Sequence, residues 1–352
     1  MADAGLALDG ARLLVTGGAG FIGSNFVKLA LARWPSCRVH VLDALTYAGN
    51  KKNLEDLPDA ARFSFQHGDI RDPKAVAEAM AGATHVVNFA AESMVDRSID
   101  DPGSFVLTDM YGALVLLDEA RRRSIRRFVQ ISTDEVYGEI LGDPATEESP
   151  LAPRNPYAAS KAGGDRLAYA YHATYGMPVV ITRCSNNYGP FQYPEKLIPL
   201  FVTNALEDQP LPVYGSGRNL RDWIHVEDHC RAIALLLESD GVDGETFNIG
   251  AGNELDVLTI TAAILEHTGK PASLIRHVED RPGHDRRYAL DSSKLTQRTG
   301  WKPLIGFAEG IAKTIEWYRA RRDWWEPIKA GEFRAYYEKM YGQRKVLKEV
   351  GS

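Results

Sequence analysis

The stretch RLLVTGGAGFIGSNF, residues Arg12 to Phe26, decides the fold. An apolar run, Arg12–Thr16, gives way at once to Gly17, Gly18, Gly20 and Gly23, and a helical pattern follows over Asn25–Arg33. Strand, glycine turn and helix in that order make a cradle for a pyrophosphate. Missing side chains permit the tight turn, the close backbone approach and the close helix–strand packing that such a ligand needs. The helix N-terminus adds oriented N–H groups and positive potential. Glycines cluster in many turns, so the flanking strand and helix give this one its meaning.

A second run, Arg38–Leu42, ends in Asp43, about 20 residues past Gly23, the distance at which an acid reaches adenosine ribose hydroxyls. A carboxylate there repels a 2′-phosphate, so NAD is expected rather than NADP. Asp69 follows a third run, Phe63–His67, and reads either as a group facing the adenine or as a turn or cap residue. Further strands are expected at His85–Phe89, Phe128–Ser132 and Val179–Arg183, with a helix over Leu114–Arg123. Another helix should start at Asp72-Pro73, with Asp as N-cap and Pro in the first helical position.

Nearly continuous apolar strands alternating with helices predict an α/β protein with a Rossmann-type, doubly wound parallel sheet. Beyond Asn187 the pattern loosens, and Pro, Gly and Tyr become common. The expected organisation is a cofactor domain over residues 1–187, to which 223–250 returns, and a smaller C-terminal substrate lobe from 188–222 and 251–352. The aromatic tail (Trp317, Tyr318, Trp324, Trp325, Tyr336, Tyr337) reads as packing rather than a ligand platform.

The formal charge of -6 over 352 residues argues against a general polyanion binder, so no nucleic-acid partner is expected. An anionic ligand would need a few local cations. Three scattered cysteines, Cys37, Cys184 and Cys230, offer neither a disulfide framework nor a zinc site. No apolar run approaches the roughly 20 residues that span a bilayer, and no signal pattern opens the chain. A cytoplasmic protein without metal or membrane partner is the expectation.

NPYAASK carries Tyr157 and Lys161 on one helix face. An ammonium beside a nicotinamide cation would stabilise the phenolate, making Tyr157 a base near neutral pH. Two other pairs, Tyr47/Lys51 and Tyr341/Lys345, share the spacing. Only Tyr157 follows a strand that ends in Ser132-Thr133, whose hydroxyls can bond to a substrate alcohol. That strand continues into Asp134 and Glu135, which in isolation read as helix-start caps.

Taken together, the glycine turn, Asp43, Ser132-Thr133 and Y-x-x-x-K resemble the extended short-chain dehydrogenase/reductase superfamily. STDEVYG (132–138) resembles the signature of the dTDP-glucose 4,6-dehydratase family within it. LTYAGN, NPYAASKAGGD, TRCSNNYGPFQYPEKLIP, LPVYGSGRNLRDWIHVEDHCRAI and RPGHDRRYALD extend that resemblance over nearly the whole chain. The resemblance implies a tightly held NAD that is regenerated in each cycle. Phe21, Ile22, Thr46, Ile70, Ala90, Ala91, Thr108, Ser132 and Asn187 would join Gly17, Gly20, Gly23, Asp43 and Asp69 around it.

It further implies that Tyr157 removes the C4 hydroxyl proton, tuned by Lys161, while Thr133 holds that hydroxyl. Glu135 would take the C5 proton and Asp134 protonate the leaving C6 hydroxyl, before hydride returns to C6. One acid must then keep its proton near neutrality while its neighbour is ionised. Ser93, Asn186, Lys196, Leu197, Pro212, Tyr214, Arg221, Asn253, Arg281 and His284 would surround the nucleotide sugar. Lys196, Arg221 and Arg281 suit a diphosphate.

One departure stands out: Met94 occupies the position where the family stretch Ala-Glu-Ser-His-Val-Asp-Arg has histidine. Methionine cannot relay a proton, so a space-filling replacement is expected. The resemblance also implies a homodimer. Rival readings are a UDP-sugar dehydratase, an epimerase or decarboxylase of nucleotide sugars, and an NAD-binding redox sensor without catalysis. The acidic pair argues against epimerase and decarboxylase, and the intact Thr133, Tyr157 and Lys161 against the sensor. Nothing in the sequence reads the base.

Overall fold

The computed structural model describes residues 8–281, 283–342 and 344–349. Seven parallel strands form its main sheet: β1 (Arg12–Thr16), β2 (Arg38–Asp43), β3 (Phe63–His67), β4 (His85–Asn88), β5 (Arg127–Thr133), β6 (Val179–Cys184) and, after β7 (Asn186–Tyr188), β8 (Leu211–Tyr214) and β9 (Leu220–His225), β10 (Thr246–Ile249). Their order is β3-β2-β1-β4-β5-β6-β10. The order reverses at β1, whose neighbours are β2 and β4. Beyond the carboxyl ends of these two strands the crossovers diverge and leave a crevice, where doubly wound sheets take ligands.

Central strands are buried on both faces, as their β-branched runs require; every residue of β5 and β6 is buried. Helices Phe21–Arg33 and Val226–Glu238 cover one face, packing Phe26, Trp34 and Ile233 on the sheet. Ala113–Arg122 and Pro156–Tyr175 cover the other with Leu116 and Ala168. The first helix begins at Phe21 rather than Asn25, because Gly20 caps it with backbone alone. Asn25 is inside it, donating to the carbonyls of Phe21 and Pro190.

A buried ion pair ties sheet to helix. Arg183 on β6 donates from Nε to Asp165 Oδ2 at 2.8 Å and from Nη1 to the Tyr137 hydroxyl at 2.7 Å. Tyr137 passes its own proton to Asn248 Oδ1 on β10, so every group in the line is satisfied.

The smaller lobe holds two three-stranded sheets, β11-β9-β7 and β13-β12-β8, with β11 at Glu254–Asp256, β12 at Ile275–Val278 and β13 at Val346–Glu349. Its core packs Phe201, Ile260, Ile311, Trp324 and Trp325. Trp223–His225 lie in β9, which pairs with β7 and β11, and Val226–Glu238 leads from it to β10 of the main sheet.

Candidate active site

The glycine turn leaves β1 with no spare room. Gly17 has φ +66°, and a Cβ there would lie 2.6 Å from the Ala90 nitrogen. A Cβ on Gly23 would lie 2.3 Å from the Gly17 carbonyl oxygen. The helix therefore starts hard against the strand end, aiming its free N–H groups into the crevice. Asp43 ends β2 with its carboxylate accepting the N–H groups of Ala19 (2.8 Å) and Leu45 (2.7 Å). Burial pushes its pKa up against those bonds.

Every cofactor candidate named from the sequence lines this one cleft, from Gly17 and Asp43 at the turn to Tyr157, Lys161 and Asn187 at the far end. Asp69 reaches the cleft and is also held by Arg71, through its N–H at 2.8 Å and its guanidinium at 2.6 Å. Ser132 Oγ and Asn186 Oδ1 are buried without a hydrogen-bond partner among the described residues. A glycine cradle, a ribose-distance acid and unpartnered polar atoms along the walls fit a dinucleotide.

At the inner end, β5 delivers Thr133 and a short 3₁₀ turn presents Asp134 and Glu135. The Thr133 hydroxyl donates to Asp134 Oδ1 (3.1 Å) and accepts the Glu135 N–H (3.3 Å). The Tyr157 phenol is raised well above its ordinary pKa by burial and the charge of Glu135, with the Thr133 hydroxyl opposing. Lys161 donates to the Ile131 carbonyl at 2.7 Å, which fixes its ammonium beside the strand end.

The two acids differ sharply. Asp134 is 4% exposed, and its Oδ2 finds no partner among the described residues. Burial, then the charge of Glu135, pushes it to about 8, so it carries a proton at neutral pH. Glu135 is half-buried and accepts from Asn155 Nδ2 at 3.2 Å.

A second cavity adjoins the first, and Glu135, Asn186, Glu195 and Lys196 line both. Arg221, Arg281 and His284 face it, with Leu197, Pro212 and Tyr214 as walls. Burial depresses the Lys196 ammonium and the Arg221 guanidinium; Glu195 and Glu135 oppose this at Lys196, Tyr288 and Glu135 oppose it at Arg221, and Arg281 adds to it at both. Cations that repel one another in a buried cavity make a site for an anion. Arg281 has Asp96 at 3.5 Å, and Arg221 stacks 4.2 Å over the Tyr288 ring. Burial and the two arginines drop His284 to about 4, leaving it neutral. Ser93 lines the first cavity, and its carbonyl accepts from Lys196 Nζ at 2.5 Å. Asn253 lines neither: its backbone joins Asp222 and Trp223 at the edge of β9.

A dTDP-glucose 4,6-dehydratase of Streptomyces niveus is 53% identical over 323 residues, covering 91% of this chain and 96% of that relative. A second, from Escherichia coli K12, is 45% identical over 361 residues, covering 95% and 99%. The chain belongs to the dTDP-glucose 4,6-dehydratase family. The broader family model described as GDP-mannose 4,6 dehydratase matches residues 14–314. A Streptomyces venezuelae dTDP-glucose 4,6-dehydratase, solved with NAD and dTDP bound, aligns with TM-score 0.88 and 53% identity over 90% of this chain and 100% of that one. A Thermus thermophilus UDP-glucose 4-epimerase, solved with NAD, gives TM-score 0.81 at 34% identity over 88% and 99%.

For a dTDP-glucose 4,6-dehydratase family member, Met94 is the visible departure. It is 8% exposed, lines the second cavity and precedes the helix Val95–Asp100, where its carbonyl accepts the Ser98 N–H. Sequence reading missed four groups. Asn155 and Tyr288 flank Glu135, and the Tyr288 hydroxyl donates to Asp285 Oδ2 at 2.6 Å. Asp109 lies under Ser160 (2.6 Å), and burial raises it to about 6. Asn-Pro before a helix was a legible cap signal; Asp109, inside a π-helical segment (Val106–Gly112), carried none.

Proposed function

We propose that the chain converts dTDP-glucose to dTDP-4-keto-6-deoxyglucose and water, a lyase step in deoxysugar biosynthesis, with NAD retained and regenerated. The observation that carries this reading is the split between neighbouring acids: buried Asp134 protonated at neutral pH, half-buried Glu135 facing both cavities. Elimination of water needs one group to give a proton and another to take one. An epimerase or decarboxylase needs no such pair.

Thr133 orients the C4 hydroxyl, and Tyr157 takes its proton, relayed beside Lys161. The residues of the first cleft would hold NAD, which when bound would supply the hydride chemistry between C4 and C6 and a positive ring that lowers the Tyr157 phenol. Glu135 removes the C5 proton, made acidic by the new ketone. Asp134 delivers its proton to the departing C6 hydroxyl, which leaves as water. Glu135 then gives a proton back to C5, and the proton that Tyr157 took from the C4 hydroxyl restores Asp134, which closes the cycle. Arg221, Arg281 and Lys196 hold the diphosphate, with Tyr214 and His284 flanking the nucleotide.

Mass spectrometry after incubation with dTDP-glucose or UDP-glucose, without added NAD, tests this. Loss of one water from dTDP-glucose supports it. Loss from UDP-glucose alone moves the base assignment, and unchanged mass with every hexose sinks the dehydratase reading.

The same reading includes a homodimer in the cytoplasm. Val106, Leu107, Tyr111 and Tyr169 expose 44–51% of their surface on two neighbouring helical segments, an apolar strip suited to a second copy. Light scattering gives the mass directly. The three cysteines are free and buried, which suits a reducing compartment. Among the described residues no helix is long and apolar enough to cross a membrane, and none form a metal-holding cluster.

A further inference from the structure

The aromatic tail does more than fill the smaller lobe. Trp324, 2% exposed in the helix Arg322–Ala330, donates from Nε1 to Asn53 Oδ1 at 2.7 Å. Asn53, 1% exposed, in turn donates from Nδ2 to the Ala19 carbonyl at 2.8 Å. Ala19 belongs to the glycine turn, and its N–H is the one held by Asp43. A hydrogen-bonded line thus runs from the tail to the pyrophosphate cradle.

A second tether lies along the same rim. The Arg97 guanidinium sits between two rings, 3.7 Å from that of Tyr47 and 4.2 Å from that of Tyr336 in the helix Glu332–Tyr337. Its Nε and Nη2 donate to Glu195 Oε2 at 3.1 and 3.0 Å. Tyr47 sits among Thr46, Ala48 and Gly49, which line the cofactor cleft, as does Glu195. Phe333, one turn from Tyr336, meets Tyr193 of the same wall edge-on at 6.3 Å.

Packing alone would need neither an indole N–H aimed at a buried amide nor a guanidinium stacked between two rings. We propose that residues 322–337 form a strap behind the rim of the cofactor cleft, with Trp324 and Tyr336 as positioning residues that slow dinucleotide release. This rests on the NAD reading above. A cofactor regenerated in place must outlast many product departures, and the strap ties the substrate lobe to both ends of the rim around it.

The test measures NAD release from the protein as purified, trapping freed NAD with excess of a second NAD-binding dehydrogenase. Trp324→Phe keeps the ring but loses the N–H and is expected to release NAD about tenfold faster. Tyr336→Ala, which unstacks Arg97, is expected to release it about thirtyfold faster, and Tyr336→Phe at the wild-type rate. Added NAD restores turnover in the faster variants. A lowered melting temperature with unchanged release assigns these residues to packing and overturns the strap. If Trp324→Phe does not fold, Tyr336→Ala against Tyr336→Phe decides alone. Wild-type protein that carries no NAD(H) overturns the cofactor reading instead, a separate result.

Discussion

Asn155 serves two masters: its Oδ1 accepts the Ala158 N–H at 2.8 Å, capping the helix that carries Tyr157, and its Nδ2 donates to Glu135 Oε2 at 3.2 Å. One amide therefore fixes the start of the Tyr157 helix and the aim of the neighbouring acid. Asn155→Ala is expected to cost about 1 kcal/mol of stability through the lost cap. Turnover should fall about tenfold as Glu135 loses its orienting donor. Asn155→Asp keeps the cap but sets a second charge against Glu135. Denaturant melts and steady-state rates separate the two roles.

Removing Glu135 itself isolates a step. Glu135→Gln is expected to leave C4 oxidation intact, seen as a single rise of reduced-nicotinamide absorbance, while water loss stops. Full product formation by this variant would take Glu135 out of the reaction.

Asp134, in its proposed role as the acid, is expected to set the alkaline limit. Its folded pKa of about 8 lies above the ordinary 3.8, so the proton needed for water loss is present below about pH 8 and is lost above it. Turnover should decline with unit slope through that value, and Asp134→Asn should be slow at every pH without that limb. Linkage runs the same way. The folded protein keeps a proton that the unfolded chain releases near 3.8, so this group's contribution to stability falls as pH rises from about 4 to 8. Asp134→Asn should gain stability relative to wild type across that window.

Arg281 is one of the mutually repelling cations in the second cavity. Arg281→Ala is expected to raise the KM for the nucleotide sugar about ten- to a hundredfold, the worth of a charged hydrogen bond, with a smaller change in kcat. Inorganic pyrophosphate should raise the melting temperature of wild type more than that of the variant.

Away from the site, Asp165→Ala leaves the Arg183 guanidinium, 2% exposed, without its counter-charge. The expected loss is about 3–5 kcal/mol. Replacing both partners with apolar residues of matching volume should cost much less, and calorimetry on the pair of variants decides.

The central strands were legible because burial on both faces demands unbroken apolar runs, and Arg12–Thr16 and the starts of β2, β4 and β6 follow directly; Phe63–His67, a half-exposed edge strand, was legible from its alternating aromatic and polar residues instead. Where ends were missed, a local feature carried no side-chain signal. Gly20 caps a helix with backbone alone, and β5 runs on to Thr133 because Thr is at home in a strand. The three-stranded sheets of the smaller lobe, such as β12 and β13, are short and join segments about 70 residues apart, a distance that periodicity cannot bridge. In the site, residue types at fixed spacing gave Asp43, Tyr157 and Lys161. Asp285, Tyr288 and Arg97 act through Arg154, Glu135 and Glu195, each about 100 residues or more away along the chain, and only the folded arrangement brings those pairs together.

Asp43 has one more lesson. Its two oxygens are already spoken for by Ala19 and Leu45 backbone amides. An engineer wishing to change dinucleotide preference by swapping this acid would unpin the loop in the same stroke. With Asp43 proposed as the group that reads the ribose, selectivity and loop architecture would share a single side chain, so a switch of cofactor calls for rebuilding residues 43–50 as a unit.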